Sequence, residues 1–224
     1  VIIAVMLSLF LASGVRKMVI DDNLANLMPK ESSSRQMLDR FEDVFGRADF
    51  FMLGVGVKDG TIFNQDTLKA VYDFTDRIAA VPVVDQVDSL STLNRIKGQE
   101  WGLEVKPFME ELPRTDKEIA QLERDIFDDD TFVGTYVSQD KSFTTIIATI
   151  LPDADESVAY RSMQKIIAEL QKQPGVDKTF LTGLPAIRSY FGLGIKKDLQ
   201  RFFPLILLVL IGILYLSICT VSGV

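Results

Sequence analysis

Apolar residues follow three rhythms along this chain. At both ends they run unbroken. Val1 to Val15, and Phe202-Phe-Pro-Leu-Ile-Leu-Leu-Val-Leu-Ile-Gly-Ile-Leu-Tyr-Leu-Ser-Ile-Cys-Thr-Val221, hold no charged residue, and every Lys, Arg, Asp and Glu lies between Arg16 and Arg201. About 20 helical residues rise about 30 Å, the thickness of a bilayer's hydrocarbon core, so the pattern predicts a transmembrane helix over 202–221. Pro204 is placed in the first turn of that helix, where its missing N–H is tolerated, and Gly212 is ordinary in membrane helices. The first run is shorter than the roughly 17–25 residues of a spanning helix. Residues 1–15 therefore read as the back end of a truncated membrane helix. The apolar core of a signal peptide, with Ala12-Ser13-Gly14 near its cleavage site, is the competing reading.

Between the ends the rhythm alternates between helical and extended periods. Ser32-Ser33-Ser34 offers N-cap hydroxyls to a helix carrying Met37, Leu38, Phe41, Val44 and Phe45, with Gly46 as its stop. Phe50 to Val57 is apolar on both faces and predicts a central strand. After an Asp59-Gly60 turn, Asn64 caps a helix with Leu68, Val71, Tyr72, Ile78 and Ala79, and Pro82 to Leu90 is extended again. The theme repeats. Thr115-Asp-Lys-Glu118 is a capping box opening a helix with Ile119, Leu122 and Ile126. Phe132–Val137 and Phe143–Leu151 predict a hairpin around Gln139-Asp140-Lys141, and Asp153-x-x-Glu156 opens a helix with Ala159, Met163, Ile166, Ile167 and Leu170. Pro174-Gly175 ends that helix, and Val176 to Leu181 is the last strand. Two β-α-β-like units predict an α+β fold, a split β-α-β, ferredoxin-like sheet with helices on one face. The stretch 91–114, with Gly98, Trp101, Gly102, Pro107 and Pro113, reads as an irregular connection, and 185–201 as an amphipathic helix leading into the apolar run.

Charge and composition then narrow the chemistry. A formal charge of −7 argues against nucleic acid, which calls for a basic face. With no His, the usual general base and commonest metal ligand are missing, and the single Cys219 lies in the apolar run, so no thiolate site or disulfide framework is expected. No Gly-x-Ser-x-Gly elbow is present, and the reading is not an enzyme, without cofactor. Asp128-Asp129-Asp130 reads as a solvated acidic linker rather than a cation site, because three consecutive residues after a helix point in different directions. Asp21-Asp22 reads as a cap for the following turn, with contact to a substrate headgroup or an adjacent basic residue as the alternative. Gly183 permits a positive φ, and Pro185 fixes the start of the long helix. Gly54 and Gly56 are expected to be packed closely by a helix, with substrate approach as the alternative. The phenylalanines are mostly core, and Phe50, Phe51, Phe143 and Phe180 are the candidates for an apolar cleft suited to a lipid-like ligand.

Four segments together carry a resemblance. They are Ile20-Asp-Asp-Asn-Leu-Ala-Asn-Leu-Met-Pro-Lys30, with Asp21, Asp22, Leu24, Leu27 and Pro29; Ser91 to Pro107 with Gly-Leu-Glu-Val-Lys-Pro; Val137-Ser-Gln-Asp140; and Thr182-Gly-Leu-Pro185. In this order, bracketed by apolar runs, the chain resembles the opening portion of resistance-nodulation-division (RND) transporters, in the hydrophobe-exporter branch that includes the mycobacterial large membrane proteins. The resemblance implies about twelve membrane helices in the whole protein, ferredoxin-like porter subdomains outside the membrane, and proton-driven movement of hydrophobic or amphiphilic molecules. It also implies a bacterial inner-membrane location with residues 16–201 on the periplasmic side. A positive-inside count from Arg16-Lys17 and Lys196-Lys197 points the other way, but that rule governs short loops. The expected layout is 1–15 as the end of membrane helix one, 16–49 as exit segment and helix, 50–184 as porter domain, 185–201 as lead-in helix, and 202–221 as membrane helix two. The expected partners are the bilayer, an amphiphilic substrate and the remaining membrane helices. Proton-relay carboxylates lie on later helices of the family, and neither run here has an ionisable residue except Tyr215 and Cys219. A ligand-sensing domain of a two-helix receptor is the alternative reading of the same layout.

Overall fold

The computed structural model describes residues 28–29, 31–45, 49–99, 102–152 and 154–221, with side chains at all of these except 42, 43, 45, 96–99, 103, 104, 214 and 217–221. The first apolar run, Asp21, Asp22, Leu24, Leu27, the helix stop at Gly46 and Asp153 lie outside the described residues. The described chain is α+β, with five helices and antiparallel strand pairs. It divides into two compact units, Phe41–Ser189 and a second made of Val1–Arg40 with Tyr190–Val224.

In chain order the elements are α1 (Ser33–Phe45), β1 (Phe50–Gly56), α2 (Gln65–Ala79), β2 (Val84–Asp88), β3 (Asn94–Gln99), β4 (Gly102–Pro107), α3 (Asp116–Phe127), β5 (Phe143–Ile150), α4 (Glu156–Leu170), β6 (Lys178–Thr182) and α5 (Leu184–Val221). The main sheet has the order β2-β5-β1-β6, all neighbours antiparallel, so β1 is central as its apolar run requires. Its burial alternates, however. Phe51, Leu53 and Val55 are fully buried, whereas Met52 and Gly54 are only half-buried and Phe50 is exposed. The expectation of two apolar faces is corrected to one core face and one half-exposed face.

The core face is closed by two helices. α2 contributes Leu68, Val71, Phe74 and Ile78, α4 contributes Ala159, Met163, Ile166 and Leu170, and both join Ile146, Ala148 and Ile150 of β5 in one cluster. Each fully buried Leu, Ile or Phe side chain contributes about 1.5–3 kcal/mol relative to exposure. The helices start where short-range chemistry dictates. Asn64 Oδ1 accepts from the Thr67 N–H at 2.9 Å, while its Nδ2 donates to the Thr61 carbonyl at 2.7 Å. Asn64→Ala is expected to lower stability by about 1–2 kcal/mol in urea unfolding followed by circular dichroism, and an unchanged midpoint would reject this role. At α3, Thr115 and Glu118 make the reciprocal capping box, with Glu118 Oε2 accepting from the Thr115 N–H at 3.2 Å.

Several sequence expectations need correction. Stretch 91–114 is irregular only in part: β3 and β4 pair in a two-stranded ladder from Asn94↔Pro107 to Gln99↔Gly102, while 108–114 is neither helix nor strand. Residues 132–137 form no strand. The Gly134 N–H bonds back to the Val137 carbonyl at 2.7 Å with Gly134 at φ 89, curling the segment into turns, and only isolated bridges join Val137 to Val133 and Thr144. The cap of α4 is Asp155, whose carboxylate accepts from the Ser157 and Val158 N–H groups. In α1 the Ser32 hydroxyl does accept from the Arg35 N–H, at 3.2 Å, but Met37, Phe41 and Val44 of its apolar stripe are exposed.

The lead-in and apolar segments are one 38-residue helix, α5, of which Leu184–Ser189 belongs to the sheet unit and Tyr190–Val221 to the other. Pro204 therefore lies inside a helix rather than in its first turn, and removes the hydrogen bond its N–H would have given to the Gln200 carbonyl. From Phe202 to Ile213, nine of the large apolar side chains are exposed, on all sides of the helix. Among the described residues no helix is long and apolar enough to cross a membrane. The helix α5 continues to Val221, and its sequence from Phe202 to Val221 holds no charge.

Candidate functional site

Alternation in β1 and β5 places every second residue on the half-exposed face of the sheet. Register then sets the neighbours: Gly56 lies opposite Phe143, Gly54 opposite Thr145 and Phe180, and Met52 opposite Ile147 and Thr182. The glycines are there because rings fill the space of their side chains. A Cβ on Gly56 would stand 2.3 Å from the Phe143 ring, and one on Gly54 3.5 Å from the Phe180 ring. The close packing expected from a helix is thus supplied by two phenylalanines, whose centroids are 5.8 Å apart. The result is a strip of Phe143, Phe180, Met52 and Ile147, with Phe50 on the same face at the far end of β1, bordered by the hydroxyl residues Thr145, Thr149 and Thr182 and by Lys178 and Asp88. Phe180 is 55% exposed.

Three of the four candidate cleft residues, Phe50, Phe143 and Phe180, share this face, and two of them touch. Phe51 does not join them, since it is fully buried on the helix side. Gly183 has φ 111, and a Cβ there would stand 2.2 Å from the Phe50 carbonyl oxygen. Pro185 is buried as the second residue of α5. Pro29 is exposed, and its carbonyl accepts from the Ser32 N–H at 2.9 Å.

A second constellation has no precursor in the sequence reading. Arg188, in the second turn of α5, is 7% exposed. Its Nη1 donates to both oxygens of Asp49 at 3.2 Å and to Glu156 Oε1 at 2.8 Å. Asp49 immediately precedes β1, and Glu156 is the first residue of α4, where the helix dipole favours a negative charge. One guanidinium thus clamps the starts of three elements. Its Nε, and the neighbouring Ser189 Oγ, are buried without a hydrogen-bond partner among the described residues. One guanidinium nitrogen thus meets two carboxylates from separate elements, a positional role.

An open cleft of ≈ 370 Å³ lies between the 108–114 segment and α3. Of its polar lining, Glu118 serves the α3 cap and Asp125 pairs with Arg95. Asp128 caps α3, and hydrogen bonds from Thr131 hold the Asp129 carboxyl below the usual range. No group of three or more potential metal ligands occurs among the described residues. Partial burial, then the nearby negative Asp88, push the Tyr136 phenol upward, so it stays neutral beside the sheet.

In the turn before β5, the Ser138 hydroxyl, the Ser142 hydroxyl and the Ser142 N–H all donate to Asp140, bringing its carboxyl down to about 2. Because the folded value lies below the unfolded one, this turn's contribution is complete above the unfolded range and is lost as pH falls through about 2. An NMR titration of the Asp140 carboxyl carbon is expected to show a midpoint near 2, and an ordinary midpoint of 3.8 would show the three donors to be absent in solution. No protein-family model and no curated protein matches this chain.

Proposed function

We propose that this chain is the opening portion of an RND-type, proton-driven exporter of hydrophobic or amphiphilic molecules, with the sheet unit as its ferredoxin-like porter domain outside a bacterial inner membrane. One observation carries the reading. A sheet of order β2-β5-β1-β6, covered by helices on one face and carrying an apolar strip on the other, is joined through the single residue Gly183 to a helix with no charge from Phe202 to Val221. Strand–helix–strand, an inserted β3-β4-α3 segment, then strand–helix–strand in that order is consistent with the split β-α-β plan. The strip suits an amphiphile, because rings offer an apolar platform while threonine hydroxyls and Lys178 border it with donors. The uncharged helix, exposed all round from Phe202 to Ile213, supports a lipid environment.

The reading is tested on the full-length protein in its own cell. Deleting it should shift labelled lipids towards the cytoplasmic side, and a proton uncoupler should reproduce the shift in the wild type. An unchanged distribution in both arms counts against export. At the strip itself, Phe180→Ala is expected to weaken binding of a fluorescent long-chain amphiphile by about tenfold, as loss of one aromatic surface implies. Its unfolding midpoint should move little, because the ring is more than half exposed. Equal affinities would remove the strip from the site.

A further inference from the structure

We propose that the turn of α5 immediately before its apolar run, carrying Lys196, Lys197 and Arg201, binds the phosphate headgroups of anionic phospholipids. The inference rests on the membrane reading of 202–221 given above and adds the class of lipid that the helix selects.

The chain as a whole is at −7, yet residues 190–224 contain only Lys196, Lys197, Asp198 and Arg201, a net +2 confined to the six positions before Phe202. All three cations are exposed, and none has an ion-pair partner among the described residues. A surplus of uncommitted cations, on an acidic chain, stands where the sequence turns apolar.

At about 1.5 Å per residue, Arg201 lies about 1.5 Å and Lys197 about 7.5 Å from the start of the apolar run. The headgroup layer is about 5–7 Å thick on each side of the hydrocarbon, so both cations reach it, with long stems that place the charge at the phosphates. Tyr190, though 69% exposed, is about 18 Å out by the same measure and falls outside the layer.

Lys197 and Arg201 are four residues apart and share a helix face. One phosphodiester between them receives the guanidinium's paired N–H groups and the ammonium's point charge. Asp198, three residues before Arg201, opposes the same anion, so its removal should strengthen binding rather than weaken it.

The test is native mass spectrometry of the detergent-extracted chain, offered equal amounts of phosphatidylglycerol and phosphatidylcholine with identical acyl chains. Phosphatidylglycerol adducts should exceed phosphatidylcholine adducts. Each of K197Q and R201Q should lower the excess about fivefold, and D198N should raise it by a similar factor. Equal adducts in the wild type, or an unchanged excess in the double variant K197Q/R201Q, overturns the proposal. Retention in pure phosphatidylcholine vesicles after an alkaline carbonate wash is read separately. Loss of retention overturns the membrane reading, while retention without headgroup preference overturns only the present inference.

Discussion

Arg188→Ala is expected to destabilise the sheet unit by about 3–5 kcal/mol, the cost of removing one partner from a buried ion group. Asp49 and Arg188 are both nearly buried, and a single nitrogen of the guanidinium serves both carboxylates. Truncating the cation removes this partner from both carboxylates, at the starts of β1 and α4. The effect belongs to the missing partner rather than to any intrinsic value of the ion group, and a cycle separates the two. Asp49→Asn combined with Arg188→Met should lose clearly less than Arg188→Met alone, because the double variant removes charges of both signs. Urea unfolding of Asp49→Asn, Arg188→Met and the double variant measures this. Additive losses would show that Asp49 and Arg188 do not act as a pair.

Gly183→Ala is expected to cost about 3 kcal/mol or more, by a different mechanism. At φ 111 an L side chain is strained, and here it would also strike the carbonyl oxygen of Phe50, backbone that cannot swing aside. Gly60→Ala is the control. It has φ 89 but nothing within 4 Å of the added carbon, so it isolates the conformational cost, about 1–2 kcal/mol. If the two alanine variants unfold at the same urea concentration, the contact with Phe50 contributes nothing.

Features written within a few residues were legible in the sequence. The Asn64 cap and the Thr115–Glu118 box each need one short peptide, and both form as their residue types dictate. The central place of β1 was readable from its apolar run. The β3–β4 ladder was not, because it pairs Arg95 with Lys106 and leaves Val105 exposed. Charged residues fall between its apolar ones without a clean alternation, and its glycines and prolines read as loop. The curl at 132–137 failed the opposite way. Phe132, Val133, Tyr136 and Val137 look like strand, but the positive φ of Gly134 and the turn hydrogen bonds onto Phe132 curl the segment instead. The aromatic strip was half legible. Phe143 and Phe180 were identifiable as candidates, but which face each phenylalanine takes depends on register, which put Phe51 on the other side. The Arg188 cluster left no local trace, because its partners lie 139 and 32 residues away.

The single-residue step from β6 to α5 bears on how the protein is made. Central β1 ends at Gly56, yet its outer neighbour β6 is not synthesised until residues 178–182, so the sheet closes only through contacts distant in sequence, a slow class of folding step. Within two residues of that last strand the ribosome is already producing α5. Only residues 183–201 separate β6 from the uncharged stretch that begins at Phe202, so the sheet has a short interval of translation in which to close before that stretch is made. A slower codon run around Gly183 would lengthen that interval, and the yield of correctly folded chain should respond to it.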